Sequence, residues 1–298
     1  MTKAPNVNTL KGLKVEDAMS KQVIWLSTET LLEKAITHLI KHKVDALLVR
    51  DEADVPLGVV SKTDIMGAYY ACLPVTTRLR DIMCSPVIFC HHDTLLESAL
   101  DKMRDARVHR LYVLKGGSEK VVGTLAYPDI VWLMHNYCQE CKYGLLKQNG
   151  THRNPGSIDR ILVKEVMTTG VKSLSENEPL TRIMEDLSCY HFGALLIVAR
   201  QELPQGVISK TDLALSYRQG IDSQFPAKTI MTSPVRSYNE NEMLESAISE
   251  MIHSQVSRLF IHRKNPENII GVLSLSDAAR VRSGSCLACM SARIKVEK

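Results

Sequence analysis

Gly58-Val-Val-Ser-Lys-Thr-Asp64 decides the reading of this chain, because the pattern occurs four times. Its counterparts are Gly123-Thr-Leu-Ala-Tyr-Pro-Asp129, Gly206-Val-Ile-Ser-Lys-Thr-Asp212 and Gly271-Val-Leu-Ser-Leu-Ser-Asp277. The closing aspartates (64, 129, 212, 277) lie 65, 83 and 65 residues apart. A methionine precedes each copy, at Met19, Met83, Met167 and Met231, with spacings of 64, 84 and 64. Two markers that agree this closely establish an internal repeat.

The repeats are paired. The longer central gap contains Gln148-Asn-Gly-Thr-His-Arg-Asn-Pro-Gly-Ser157, a linker composition. Repeats 1 and 3 share Ser-Lys-Thr-Asp, whereas repeats 2 and 4 share Ser-Pro-Val and Leu-Glu-Ser-Ala. The expected divisions are repeat 1 at 13–75, repeat 2 at 77–146, a linker at 147–159, repeat 3 at 160–222, repeat 4 at 226–284 and a tail at 285–298. A unit of about 60 residues buries too little surface to stand comfortably alone. The pair of sequence neighbours is therefore expected to be the folding unit.

Each repeat reads β-α-β-β-α. In repeat 1, Val23 to Ser27 is apolar and β-branched, and Ala46 to Arg50 and Leu57 to Ser61 read as two further strands around an acidic turn, Asp51 to Asp54. Between them Leu32, Ala35, Ile36, Leu39 and Ile40 form a helical apolar stripe. Thr30-Leu-Leu-Glu33, and Thr94-Leu-Leu-Glu97 in repeat 2, read as capping boxes that open this helix. A second helix begins near Thr63. The expected class is α/β (α+β).

The chain of 298 residues is 45% hydrophobic and 23% charged, with a net charge of +4. That composition is ordinary for a globular protein and far from the basic footprint of a dedicated nucleic-acid binder. Aromatics at 5% are sparse for base stacking. No apolar run is long enough to span a bilayer, and the first twelve residues lack a signal-peptide core. The expectation is a cytoplasmic protein with neither membrane nor nucleic acid as partner.

Four copies of Gly-hydrophobic-hydrophobic-Ser/Thr-x-x-Asp at matched spacing resemble the CBS family, from about Val15 to Ala279. The resemblance implies two Bateman modules packed as a disc, with clefts that commonly bind AMP, ADP, ATP or S-adenosylmethionine. It implies ribose contacts for Asp64, Asp129, Asp212 and Asp277, and a place near phosphate for Ser61, Ser209 and Ser274. Thr63, Thr211 and Ser276 lie in the same turns. Arg110 and Arg258, where odd repeats have Ala46 and Ala194, are placed by the resemblance near phosphate, and Arg suits bidentate phosphate contact. An ionised carboxylate accepts both ribose hydroxyls, and a helix N-terminus favours an anion. Lys62 and Lys210 would add charge. The same Ser-x-x-Asp pattern is also close to a capping box, in which Ser61 and Asp64 serve only their own helix. Repeat 2 has Ala126 for the hydroxyl and Pro128 in the turn, so it is expected to be the weak site. For the arginines the plain alternative is a solvated strand edge, and His109 reads as packing or surface.

Four cysteines form two Cys-x-x-Cys pairs, Cys138 with Cys141 and Cys286 with Cys289, each starting nine residues after Asp129 or Asp277. A zinc or iron–sulfur site, a dithiol in each module, or no role beyond ancestry all fit that spacing. Cys72, Cys84, Cys90 and Cys189 read as core fillers.

No P-loop, nucleophile elbow or His-Glu-x-x-His is present. The leading expectation is not an enzyme but a regulatory adenine-nucleotide sensor, which signals to a separate regulated protein or to a second copy of itself. The alternative is a metal- or redox-linked protein built on the cysteine pairs.

Overall fold

The computed structural model describes residues 12–140 and 161–282. Repeat 1 holds α1 (Val15–Ala18), β1 (Trp25–Ser27), α2 (Leu32–Lys41), β2 (Ala46–Arg50), β3 (Pro56–Ser61) and α3 (Lys62–Tyr70). Repeat 2 holds β4 (Phe89–His91), α4 (Leu96–Asp105), β5 (Arg110–Leu114), β6 (Val121–Ala126) and α5 (Tyr127–Glu140). Repeat 3 holds α6 (Val163–Val166), β7 (Thr168–Thr169), β8 (Ser173–Ser175), α7 (Leu180–Cys189), β9 (Ala194–Val198), β10 (Pro204–Ser209) and α8 (Lys210–Arg218). Repeat 4 holds β11 (Ser237–Asn239), α9 (Leu244–His253), β12 (Arg258–His262), β13 (Ile269–Ser274) and α10 (Leu275–Arg282). The β-α-β-β-α reading holds in every copy.

In each repeat the first strand runs parallel to the second, and the second pairs antiparallel with the third, as in Leu26 opposite Val49 and Leu47 opposite Val60. The first helix presents Leu32, Ala35, Ile36 and Leu39, each fully buried, to the face carrying Leu47, Val49 and Val60. Burying one such side chain is worth about 1.5–3 kcal/mol. The helix ends in a Schellman turn: Lys43 takes φ 52°, and Val44 N–H reaches Leu39 O at 3.1 Å.

The first helices are not opened by their own threonines. The N-caps of α2 and α4 are Leu31 and Leu95, neither with a side-chain cap. The free N–H groups meet backbone carbonyls brought from elsewhere: Leu32 N–H binds Thr77 O at 2.8 Å, Glu33 N–H binds Val75 O at 3.0 Å, and Leu96 N–H binds Leu13 O at 2.9 Å. In the later repeats Leu180 N–H binds Phe225 O at 3.0 Å and Leu244 N–H binds Ile161 O at 3.0 Å. A carbonyl from a neighbouring segment does what a side-chain cap would do.

Those carbonyls belong to arms that sequence neighbours trade. The arm ahead of repeat 1 bridges Ser20 to Thr124 of repeat 2, and the arm ahead of repeat 2 bridges Cys84 to Val59 of repeat 1. Likewise β7 pairs with β13, Thr168 opposite Val272, while Thr232 bridges to Val207. Each arm brings its methionine onto the partner's motif glycine. A Cβ placed on Gly58 would stand 2.9 Å from Met83 Sδ, and one on Gly123 would stand 2.9 Å from Met19 Sδ. On Gly206 it would meet Met231 Cγ at 3.0 Å, and on Gly271 Met167 Sδ at 2.6 Å. The two repeat markers of the sequence are thus contact partners.

The chain divides into two compact units. The odd unit is Val23–Ile88 with Val171–Arg236, that is, repeats 1 and 3 with the arms of 2 and 4. The even unit takes the described residues of Met1–Gln22, Phe89–Gly170 and Ser237–Lys298, that is, repeats 2 and 4 with the arms of 1 and 3. The sequence led to 1 with 2 and 3 with 4; the units group odd with odd and even with even, and the arms join sequence neighbours. In the odd unit α3 packs on α8, where the Tyr69 and Tyr217 rings stack at 4.9 Å and 13°. Tyr69 O–H donates to Ile221 O at 2.7 Å, and Tyr217 O–H returns the bond to Leu73 O. Among the described residues no helix is long and apolar enough to cross a membrane.

Candidate functional site: the motif turns

Three motif turns are reciprocal capping boxes. Ser61 is the N-cap of α3: its Oγ accepts from Thr63 N–H at 3.2 Å and Asp64 N–H at 3.4 Å, while Ser61 N–H and O–H both donate to Asp64 Oδ2 at 2.7 Å. Ser209 N–H and O–H donate to Asp212 Oδ2 at 2.7 and 2.6 Å. Ser274 N–H and O–H donate to Asp277 Oδ2 at 3.0 and 2.6 Å, and Ser274 Oγ lies 2.8 Å from Ser276 Oγ. The serine hydroxyls therefore serve the helix cap, and one carboxylate oxygen of each pair is spent on it. The other oxygen, Oδ1, has no hydrogen-bond partner at Asp212 or Asp277 among the described residues.

At Asp64 the second oxygen is occupied. Cys84 Sγ–H donates to Asp64 Oδ1 at 3.2 Å. Partial burial pushes that thiol up to about 11, and the bond to the carboxylate adds to the shift. Cys84 is the residue after an arm methionine. The same place in the other arms is Ser20, Thr168 and Thr232. The sequence carries that signal, a hydroxyl or thiol after every marker methionine, and the reading of the motif alone missed it.

The odd unit brings the turns of repeats 1 and 3 together: Lys210 Nζ donates to Thr63 Oγ1 at 2.9 Å. Lys62 instead pairs with Asp45 at 2.8 Å. Both lysine N–H groups bind the equivalent backbone carbonyl, Asp45 O and Gly193 O, so a carboxylate in one copy and a glycine in the other break the symmetry. Thr211 occupies the position of Thr63 in repeat 3, on the first turn of α8.

In repeat 2 Ala126 stands where the other turns have serine, yet Ala126 N–H still donates to Asp129 Oδ2 at 2.8 Å. Burial pushes the Asp129 carboxyl up, opposed by that N–H and by Arg110. Arg110 is no solvated strand edge: it is half-buried, and its Nη1 donates to Thr124 Oγ1 at 2.9 Å. Arg258 opens β12 opposite Ser274, as Arg110 opens β5 opposite Ala126. His109 is exposed and meets the Tyr127 ring edge-on at 5.7 Å.

Of the isolated cysteines only Cys90 is buried; Cys72, Cys84 and Cys189 are exposed, which corrects the expectation of four core fillers. Cys72 stands just past α3 and Cys189 closes α7, and at such element ends apolar neighbours in sequence do not imply a covered side chain. Cys138 lies in α5 without a described side chain, and Cys141, Cys286 and Cys289 lie outside the described residues.

Comparison with known proteins agrees with this architecture. A family model for the CBS domain matches residues 15–71, 79–136, 163–218 and 227–284. The CBS domain-containing protein YhcV of Bacillus subtilis is 33% identical over 118 residues, 39% of this chain and 82% of that protein. Protein MJ1225 of Methanocaldococcus jannaschii is 23% identical over 191 residues, 64% of this chain and 66% of that protein. The crystal structure of MJ1225, a proposed archaeal homologue of g-AMPK, matches with a TM-score of 0.71 at 15% identity, covering 92% of this chain and 99% of that one. A conserved protein from Pyrococcus horikoshii matches with a TM-score of 0.59 at 17% identity, over 91% of this chain and 100% of that one. Those two structures show a likeness of fold. With four matched copies over most of its length, the chain belongs to the CBS-domain family.

Proposed function

We propose that this chain is a regulatory module that binds an adenosyl ligand (AMP, ADP, ATP or S-adenosylmethionine) at its motif turns and relays occupancy to a separate protein or a second copy. The observation that carries the reading is the division of labour within each carboxylate. Oδ2 of Asp212 and Asp277 holds the helix cap, while Oδ1 is left to accept a ribose hydroxyl beside a helix N-terminus. Capping and binding are compatible uses of one side chain.

Thermal unfolding of the full chain with each ligand tests this. Saturation at about 100 times Kd adds about 2.7 kcal/mol to the stability. Asp212→Ala weakens one class of sites about 10- to 100-fold, the worth of hydrogen bonds to a charged acceptor. If no adenosyl ligand moves the transition at millimolar concentration, the reading fails. The equal nine-residue offset of the two Cys-x-x-Cys pairs from Asp129 and Asp277 supports a second reading, a zinc or iron–sulfur site, and metal analysis of the purified chain tests it.

A further inference from the structure

Cys84 is held at the repeat 1 turn by its backbone, whose N–H and C=O both pair with Val59 at 2.9 Å. Thr232 is held to Val207 of repeat 3 in the same way, at 2.9 and 3.0 Å. Thr168 stands opposite Val272 of repeat 4. Val59, Val207 and Val272 each lie five residues ahead of a motif aspartate, so the three arm residues occupy equivalent places beside Ser-x-x-Asp turns.

What differs is the use of the side chain. Cys84 Sγ–H donates to Asp64 Oδ1 at 3.2 Å. Among the described residues neither Thr168 nor Thr232 donates to the aspartate of its turn, and Oδ1 of Asp212 and Asp277 has no hydrogen-bond partner. Two arms seat without such a bond, so the fold does not require it. In all three turns Oδ2 already accepts the serine N–H and O–H, which fills its two lone pairs. Oδ1 is then the oxygen left for a ribose, and its two lone pairs match two ribose hydroxyls. At Asp64 the thiol takes one of those two places. With the thiol pushed up to about 11 by burial and the carboxylate contact, it keeps its proton near neutrality and stays a donor.

We infer that Cys84 sets the affinity of repeat 1: its thiol competes with a ribose hydroxyl for Asp64 Oδ1, which makes this turn weaker than the serine turns of repeats 3 and 4. The inference rests on the nucleotide reading and adds an order of filling to it. Repeats 3 and 4 load first, and repeat 1 responds at higher ligand concentration. One chain then reports on a wider range of ligand than equal sites would.

Calorimetry on the full chain, titrated with AMP, ADP, ATP and S-adenosylmethionine, tests it. Cys84→Ala frees the oxygen and tightens one class of sites about three- to tenfold, the worth of about one hydrogen bond. Cys84→Ser, smaller than cysteine but still a donor, brings no gain beyond about twofold. On an Asp64→Ala background, Cys84→Ala changes no affinity. Infrared spectra read the contact itself: the S–H stretch of Cys84, identified by its loss in Cys84→Ala, shifts in Asp64→Asn and again in the wild type saturated with a ligand that binds. Unchanged or weakened binding in Cys84→Ala overturns the inference and leaves the nucleotide reading standing. Equal gains for the alanine and serine variants overturn it too, because relief of bulk would then be the cause. An S–H band indifferent to Asp64→Asn has the same consequence. If none of the four ligands binds either the wild type or Cys84→Ala, the nucleotide reading fails and the inference falls with it.

Discussion

Gly206 is covered by a backbone. A methyl group on it would stand 2.8 Å from Thr232 O and 3.0 Å from Met231 Cγ. The requirement is one of space, since Gly206 is not among the residues with positive φ. Gly206→Ala is expected to cost about 1–3 kcal/mol in urea unfolding, because the arm must lift. Gly67, inside α3 with nothing within 4 Å of its would-be Cβ, is the contrast: Gly67→Ala should stabilise by about 0.5–1 kcal/mol. Two changes of the same type with the same sign would sink this account. Cys84 offers a second test. With its thiol raised to about 11 by burial and the Asp64 contact, little thiolate exists near neutrality. Alkylation of Cys84 should therefore accelerate about tenfold per pH unit between pH 7 and 10. Asp64→Asn should raise the rate at pH 8 by removing the carboxylate that holds the proton, and mass spectrometry of the modified peptide reads both. A rate at Cys84 indifferent to Asp64 would show that the contact does not control the thiol. At this scale the sequence was half legible. Both markers, Gly206 and Met231 among them, could be read and counted. That one exists to receive the other could not, because the contact joins residues of different repeats.

Elements show the same limit. The stripe Leu32, Ala35, Ile36, Leu39 identifies α2 from spacing, and those residues are its buried face. Thr30 was misread as its cap because Thr-x-x-Glu is a local pattern, whereas Thr77 O and Val75 O, which bind the first N–H groups, come from some 45 residues away. Ser-Lys-Thr-Asp offered two readings, cap and ligand site, and local spacing could not choose between them; Ser209 Oγ and Asp212 Oδ2 take the first role, while Asp212 Oδ1 has no hydrogen-bond partner among the described residues. The α3–α8 clasp lay beyond any pattern of one repeat, since it depends on repeat 1 lying beside repeat 3. Its hydroxyl bonds are expected to count: Tyr69→Phe should lower stability by about 1 kcal/mol. Because Tyr69 and Tyr217 stack, the double change to Phe should depart from the sum of the singles in a double-mutant cycle. Strict additivity would mean that the rings act independently.

Over the whole molecule, two kinds of tie cross the repeats in different directions. Arms tie repeat 1 to 2 and repeat 3 to 4, while the compact units tie 1 to 3 and 2 to 4. Each unit therefore contains chain from both sides of residues 147–159. A protease site placed in that stretch and then cut should leave two fragments that elute together on size exclusion and separate only in denaturant. Elution as two separate species after cutting would contradict the division into odd and even units. The traded arms also decide what can be inherited or borrowed. A single repeat lifted into another protein would arrive with an arm that has no host, and with a glycine-floored groove that nothing covers. The smallest portable piece is thus two neighbours taken at once, and duplication by twos, written in the 65, 83, 65 spacing, is the course such a mutual loan leaves open.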